Sequence, residues 1–282
     1  MSKINTSGYN IFLITLVFSL LVLISSCNDD VSLNAPNGLI VIIKADDLGE
    51  TNPNWNKFIK MVIDNEICAS IGIITKDVTT NESIEEIKRI SNILQPNQFP
   101  VIEFWNHGYD HSRNGKIHEF QGTDIILQDN HIQLAQDFFS QSLNITSKTF
   151  SAPFNKTSLE TANALSHFPE INVWMCYEKI ENQYQKEWKD PNKKLITKAD
   201  QQIMLNVDYL YVKNFPIEKV ISNYKYDKRK PYILIQIHPS GWDDSGFVKF
   251  KELIDFYKSG NRAIFMTPYQ YYQYLHKTQL NS

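Results

Sequence analysis

One pattern recurs along this chain: a short apolar run, then a stretch with helical spacing, then another apolar run. The runs are GLIVIIK at 38–44, ICASIGIIT at 67–75, PVIEFW at 100–105, KTFSA at 148–152, NVWMCY at 172–177, YILIQI at 232–237 and AIFMT at 263–267. Unbroken apolar runs of this length suit strands buried on both faces. Residues 204–212 also read as extended. Between the runs, residues 54–65 gather Trp55, Phe58, Ile59 and Val62 on one helical side, and residues 83–94 do the same with Ile84, Ile87, Ile90 and Leu94. Further helices are expected at 123–143, 158–167, 247–258 and 269–276. Alternation of this kind requires parallel strands joined by right-handed crossovers. About seven such units predict an α/β fold, a closed or nearly closed parallel (β/α) barrel in one domain over 38–282.

Composition removes other classes. Of 282 residues, 42% are hydrophobic and 21% charged, which is too apolar for a disordered chain. With 28 Lys and Arg against 31 Asp and Glu, the net charge is -3 and no basic tract exists to attract nucleic acid. Three cysteines cannot build a disulfide framework. Cys68 and Cys176 lie in apolar strand segments and are expected to be buried free thiols.

Residues 11–24, IFLITLVFSLLVLI, are apolar, too few to span a bilayer, and followed by small residues. They fit the core of a secretory signal peptide over 1–26. The following ISSC resembles a bacterial lipobox, which implies lipidation of Cys27, a lipidated tether over 27–37 and an outer-membrane lipoprotein, facing the periplasm or the cell surface.

Polar residues follow the strands, where a (β/α) barrel places its chemistry. Asp46 and Asp47 end the first strand, and adjacent carboxylates need a cation or hydrogen bonds to offset repulsion and lost hydration. His107 and His111, four apart, follow the third strand, and His238 follows YILIQI. Asp47, His107 and His111 offer three protein ligands with an open fourth position, the pattern of a catalytic Zn²⁺ site. Asp46 is then the candidate base and His238 the candidate acid for hydrolysis of an amide or ester. Read alone, the Asp pair also fits a turn or helix cap, the His pair two surface residues, and His238 a core residue.

Together these blocks resemble the polysaccharide deacetylases of the NodB-type superfamily, also called carbohydrate esterase family 4. The resemblance spans roughly 39–274 and implies a distorted parallel (β/α) barrel. The blocks are Ala45-Asp46-Asp47-Leu48-Gly49, Glu103 through His111, Ser151-Ala152-Pro153-Phe154 and the strand ending at His238. It implies Asp46 as general base, Asp47, His107 and His111 as ligands of Zn²⁺ or another divalent metal, the Phe154 N–H as an oxyanion donor and His238 as acid. It also implies an acetylated glycan as substrate. Trp105, Tyr109 and Trp242 adjoin the blocks as candidate sugar-stacking rings, with Trp174 behind them. One position departs from the pattern: Ser151 stands where the family has an Arg that orients the base. Either Asp46 is held less well or another cation substitutes, and Lys44 and Lys156 are near in sequence. Two other readings compete: a non-catalytic glycan-binding protein on the same barrel, and a glycosidase using Asp46 with Asp243 or Asp244.

Overall fold

In the computed structural model, which describes residues 38–176, 202–211, 216–227, 230–259 and 263–280, the first apolar run becomes the central strand β1 (Ile40–Leu48). The expected signal peptide, the tether and Cys27 lie outside the described residues. Helix α1 (Pro53–Asp64) follows, capped by the Asn52 side chain, and buries the four residues its spacing predicts. Strand β2 (Ala69–Ile73), helix α2 (Asn81–Ser91) and strand β3 (Ile102–Asn106) continue the alternation. A two-stranded hairpin, β4 (Arg113–Asn114) and β5 (Ile117–His118), then interrupts it. Helix α3 (Ile125–Asp137) runs into a π-helical turn, Phe138–Ser142, so the expected single helix changes its winding near its end.

The remainder comprises β6 (Thr149–Phe150), α4 (Leu159–Leu165), β7 (Val173–Cys176), β8 (Ile203–Asn206), β9 (Tyr209–Tyr211), α5 (Ile217–Asp227), β10 (Tyr232–Ile237), α6 (Asp244–Lys258), β11 (Ile264–Phe265) and α7 (Pro268–Leu280). Neither α5 nor the hairpin has a counterpart in the sequence pattern.

Every pairing in the main sheet is parallel, in the order β8-β7-β6-β3-β2-β1-β10-β9, with β11 also on β1. The two ends of that path, β8 and β9, are consecutive in the chain, separated only by Val207 and Asp208. The segment expected to be one strand thus pairs first with β7 and then with β10, and it carries the sheet back toward its start. The result is a curled, distorted (β/α) barrel.

Period-two alternation sorts each strand between two cores. Val41, Ile43 and Ala45 pack outward with Trp55 and Phe58 of α1 and Phe250 of α6. Ile40 and Ile42 face inward with Trp105, Val173, Met175 and Leu234 from three other strands. Tyr271 of α7 joins this inner core, and Tyr272 and Tyr274 pack against it partly buried. Lys44 and Asp46 continue the inward face of β1, and both are buried. Cys68 and Cys176 are both buried, and no disulfide joins them. Among the described residues, no helix is long and apolar enough to cross a membrane.

Candidate metal centre and catalytic site

In a regular strand, Asp46 and Asp47 would point to opposite faces. The β1–β2 register slips between Ala45 and Leu48, leaving one extra residue on β1. Such a bulge re-aims side chains. Asp47 takes φ of 70°, a left-handed conformation rare for a non-glycine residue. The bulge is therefore what brings both carboxylates to one site.

Asp47 Oδ1 lies 3.0 Å from His107 Nε2 and 3.2 Å from His111 Nε2. Ligand atoms in a tetrahedral zinc site, at about 2.0–2.1 Å from the ion, stand about 3.3 Å apart. His107 Nδ1 lies 2.7 Å from the backbone carbonyl of Ser151. A carbonyl only accepts, so Nδ1 carries a proton and Nε2 is the nitrogen turned toward Asp47, either with a second proton that it donates or with a lone pair offered to a cation. Two acceptors at 3.0 Å require a positive charge between them: a second proton or a metal cation. The donor set therefore fits a divalent ion. Burial disfavours the charged Asp47, but hydrogen bonds from His107 and His111 outweigh it and hold its pKa well below the carboxylate range. Burial likewise opposes the charged His111, and Asp47 more than compensates, raising its pKa.

Asp46 is built differently. Lys44 Nζ donates to both its oxygens, at 2.6 and 2.5 Å, and Gln236 Nε2 donates to Oδ2 at 2.7 Å. Gln236 is steadied in turn by Asn155 Nδ2, 3.0 Å from its Oε1. Lys44 is wholly buried, with its ammonium 5.0 Å from the centre of the Trp105 ring. Burial pulls its pKa down, and the Asp46 charge opposes this. His238 Nε2 lies 3.5 Å from Asp47 Oδ2, opposite the histidine pair. Burial lowers its pKa, against the attraction of Asp46 and Asp47.

The expected sugar-stacking tryptophans do not reach solvent. Trp105 is fully buried inside the barrel, so close to Gly72 that a Cβ there would sit 2.4 Å from its ring. Trp242 is buried among Phe58, Phe247 and Phe250, and Trp174 belongs to the core beneath α3 and α4. Large flat rings serve as core filler where the neighbouring strand offers a residue as small as Gly72. Tyr109, in the loop between His107 and His111, packs edge-on against His131, 5.3 Å between centroids. Phe154 is the exposed ring at the site: 38% accessible, 4.2 Å from the His111 ring. The acids of the glycosidase reading are engaged elsewhere: Asp243 caps α6 through the Gly246 N–H, and the exposed Asp244 pairs with Lys57.

Sequence reasoning leaves Gln236 and Glu119 without a role and Lys44 as one of two candidate cations. Gln236 and Lys44 are visible as polar residues within or ending buried strands. Glu119, under the His111 loop, has no pattern signal.

No family model matches the chain, and no curated protein matches it. Solved structures do. A putative polysaccharide deacetylase from Mycobacterium smegmatis superposes with a TM-score of 0.61 at 12% identity, covering 88% of this chain and 94% of that one. A family 4 acetyl xylan esterase from Clostridium thermocellum, in complex with a cobalt ion, gives 0.50 at 15% identity over 81% and 87%. A carbohydrate esterase family 4 pseudoenzyme from Bacillus anthracis gives 0.51 at 14% identity over 82% and 65%. Across most of its described length, the chain thus has the fold of the carbohydrate esterase family 4, NodB-type polysaccharide deacetylases.

Proposed function

We propose that this protein is a metal-dependent hydrolase that removes acetyl groups, N-acetyl before O-acetyl, from a cell-envelope or extracellular polysaccharide. The observation that carries this reading is the convergence of Asp47 Oδ1, His107 Nε2 and His111 Nε2, with Asp46 and His238 beside them. A zinc ion, or another divalent metal, held by the three ligands supplies Lewis acidity toward the acetyl carbonyl and acidifies water. Asp46 accepts the proton of the attacking water. His238 donates a proton to the sugar nitrogen as the C–N bond breaks, so the products are acetate and a free amine. The Phe154 N–H stabilises negative charge developing on the acetyl oxygen, and its exposed ring is the face for the sugar. Lys44 supplies Asp46 with the cation that Ser151 does not.

The address over 1–27 is read in the same way, as lipidation of Cys27 and anchoring to the outer membrane, which fatty-acid labelling of wild type against Cys27→Ala tests.

A second reading, glycan binding without turnover, is favoured by Ser151 and by the likeness to a pseudoenzyme. Acetate release from acetylated chitooligomers, peptidoglycan and acetylated xylan separates the two. Release abolished by a chelator and by His238→Ala supports the hydrolase. Glycan retention that survives both treatments, with no acetate from any substrate, supports the binding protein.

A further inference from the structure

A second cluster stands beside the first: Asp110, Glu119 and His131 also bring ligand-type atoms within 4.8 Å of one another. Its hydrogen bonds show a different purpose. Glu119 Oε1 accepts from the Tyr109 N–H at 2.6 Å and the Asp110 N–H at 3.4 Å, and Oε2 accepts from the His111 N–H at 2.8 Å. His131 Nδ1 is 3.0 Å from Oε1. A carboxylate has about four lone-pair sites; here Oε1 meets three donors and Oε2 one. Glu119 therefore directs most of its acceptor capacity at the backbone of this loop and at His131.

Those donors belong to the loop that carries His111. The loop turns at Gly108, with φ of 81°, where a Cβ would sit 2.7 Å from Glu119 Oε2. It ends at His111 itself, with φ of 53°. A left-handed conformation is unfavourable for an ordinary residue, and it persists only where the surroundings over-determine it. Successive N–H groups converging on an anion form a nest, and charge-assisted bonds are the stronger kind. Glu119 is 1% exposed, so without it those N–H groups would face the interior unpaired, a larger penalty still. The hairpin β4–β5 delivers Glu119 to this place, and the Glu119 N–H bonds back to the Ser112 carbonyl at 3.1 Å.

We infer that Glu119 is the positioning residue of the metal centre, an internal anion that folds residues 108–111 so that His111 Nε2 faces Asp47 before any metal binds. The inference rests on the reading of Asp47, His107 and His111 as metal ligands. It is tested on the full chain, stripped with a chelator and titrated with Zn²⁺ against a competing dye. Glu119→Gln keeps the size but replaces two acceptor oxygens by one acceptor and one donor. Zinc affinity is expected to fall about 10–100-fold, as for other groups that orient ligands, with one equivalent still bound and the circular dichroism spectrum unchanged. In metal-free wild type, the Tyr109 and His111 amides are expected to exchange slowly with deuterium. An affinity in Glu119→Gln within twofold of wild type would overturn the inference. So would fast exchange at those two amides, or two zinc equivalents in wild type falling to one in Glu119→Gln. Should the variant not fold, the wild-type exchange rates decide alone. A wild type that takes no zinc yet protects both amides would sink the functional reading while sustaining the role of Glu119.

Discussion

Two groups of Asp, Glu and His sit side by side in this barrel with similar ligand spacing, and they do opposite things with it. At Asp47, His107 and His111, the second nitrogen of His107 is tied to a backbone carbonyl and the Nε2 atoms converge on one carboxylate oxygen. At Asp110, Glu119 and His131, the carboxylate is engaged by backbone N–H groups and the imidazole points a proton at it. What separates the proposed metal centre from a structural anion is therefore the set of donors that each oxygen already accepts from. Spacing alone does not tell them apart.

The largest effect expected from this contrast is on metal content. His107→Ala, alone or with Asp47→Asn, should leave the protein without its equivalent of zinc and cut acetate release about a thousandfold, the scale of losing several kcal/mol of charge stabilisation. His131→Ala should keep the equivalent. Metal analysis after dialysis reads both, and a metal lost from His131→Ala but kept in His107→Ala would reverse the assignment of the two clusters.

Asp46 sharpens the same contrast from within the proposed active site. Like Glu119, it accepts from protein donors, here Lys44 on both oxygens and Gln236 on Oδ2, which leaves an acceptor site on Oδ1 for the water proton of the proposed reaction. Lys44→Met strands a buried carboxylate without its cation. Breaking a buried pair from one side costs about 3–5 kcal/mol, and denaturant melts should show a loss of that size. Zinc content should stay at one equivalent while kcat drops. A variant as stable and as active as wild type would show that the Lys44–Asp46 pair matters to neither folding nor turnover.

Much of this is legible in the sequence, and the failures have physical causes. Strand and helix positions follow from apolar periodicity, because a parallel barrel buries both faces of its strands. Asp46, Asp47, His107, His111 and His238 stand out as polar residues at strand ends. Lys44 and Gln236 are legible as polar interruptions of buried strands, but their pairing with Asp46 depends on register across the β1–β10 ladder, which no local pattern encodes. Trp105 defeats the sequence reading because sharing a face with His107 does not set depth: two residues earlier on the same inward face, its ring lies beneath the His107 ring, within the inner core. Glu119 is hidden altogether, since it acts through backbone N–H groups, and those carry no residue identity.

The smallest expected effect concerns the proton in the second cluster. The hydrogen bond to Glu119 raises the pKa of His131, burial opposes it less strongly, and the Asp110 charge adds to the rise while Lys76 works against it. A folded pKa above the unfolded value of about 6.5 means the native state holds this proton more tightly. The resulting stability is complete below about pH 6.5 and is lost as pH climbs through the folded pKa. The gap in unfolding free energy between wild type and His131→Phe should therefore narrow steadily as pH is raised from about 6 to about 9. An NMR titration should place the His131 transition above the ordinary histidine range in wild type and return it toward that range in Glu119→Gln. A wild-type transition at or below the ordinary value would mean that Glu119 does not hold its imidazole partner as an ion pair, and the contrast between the two clusters would then rest on the backbone donors alone.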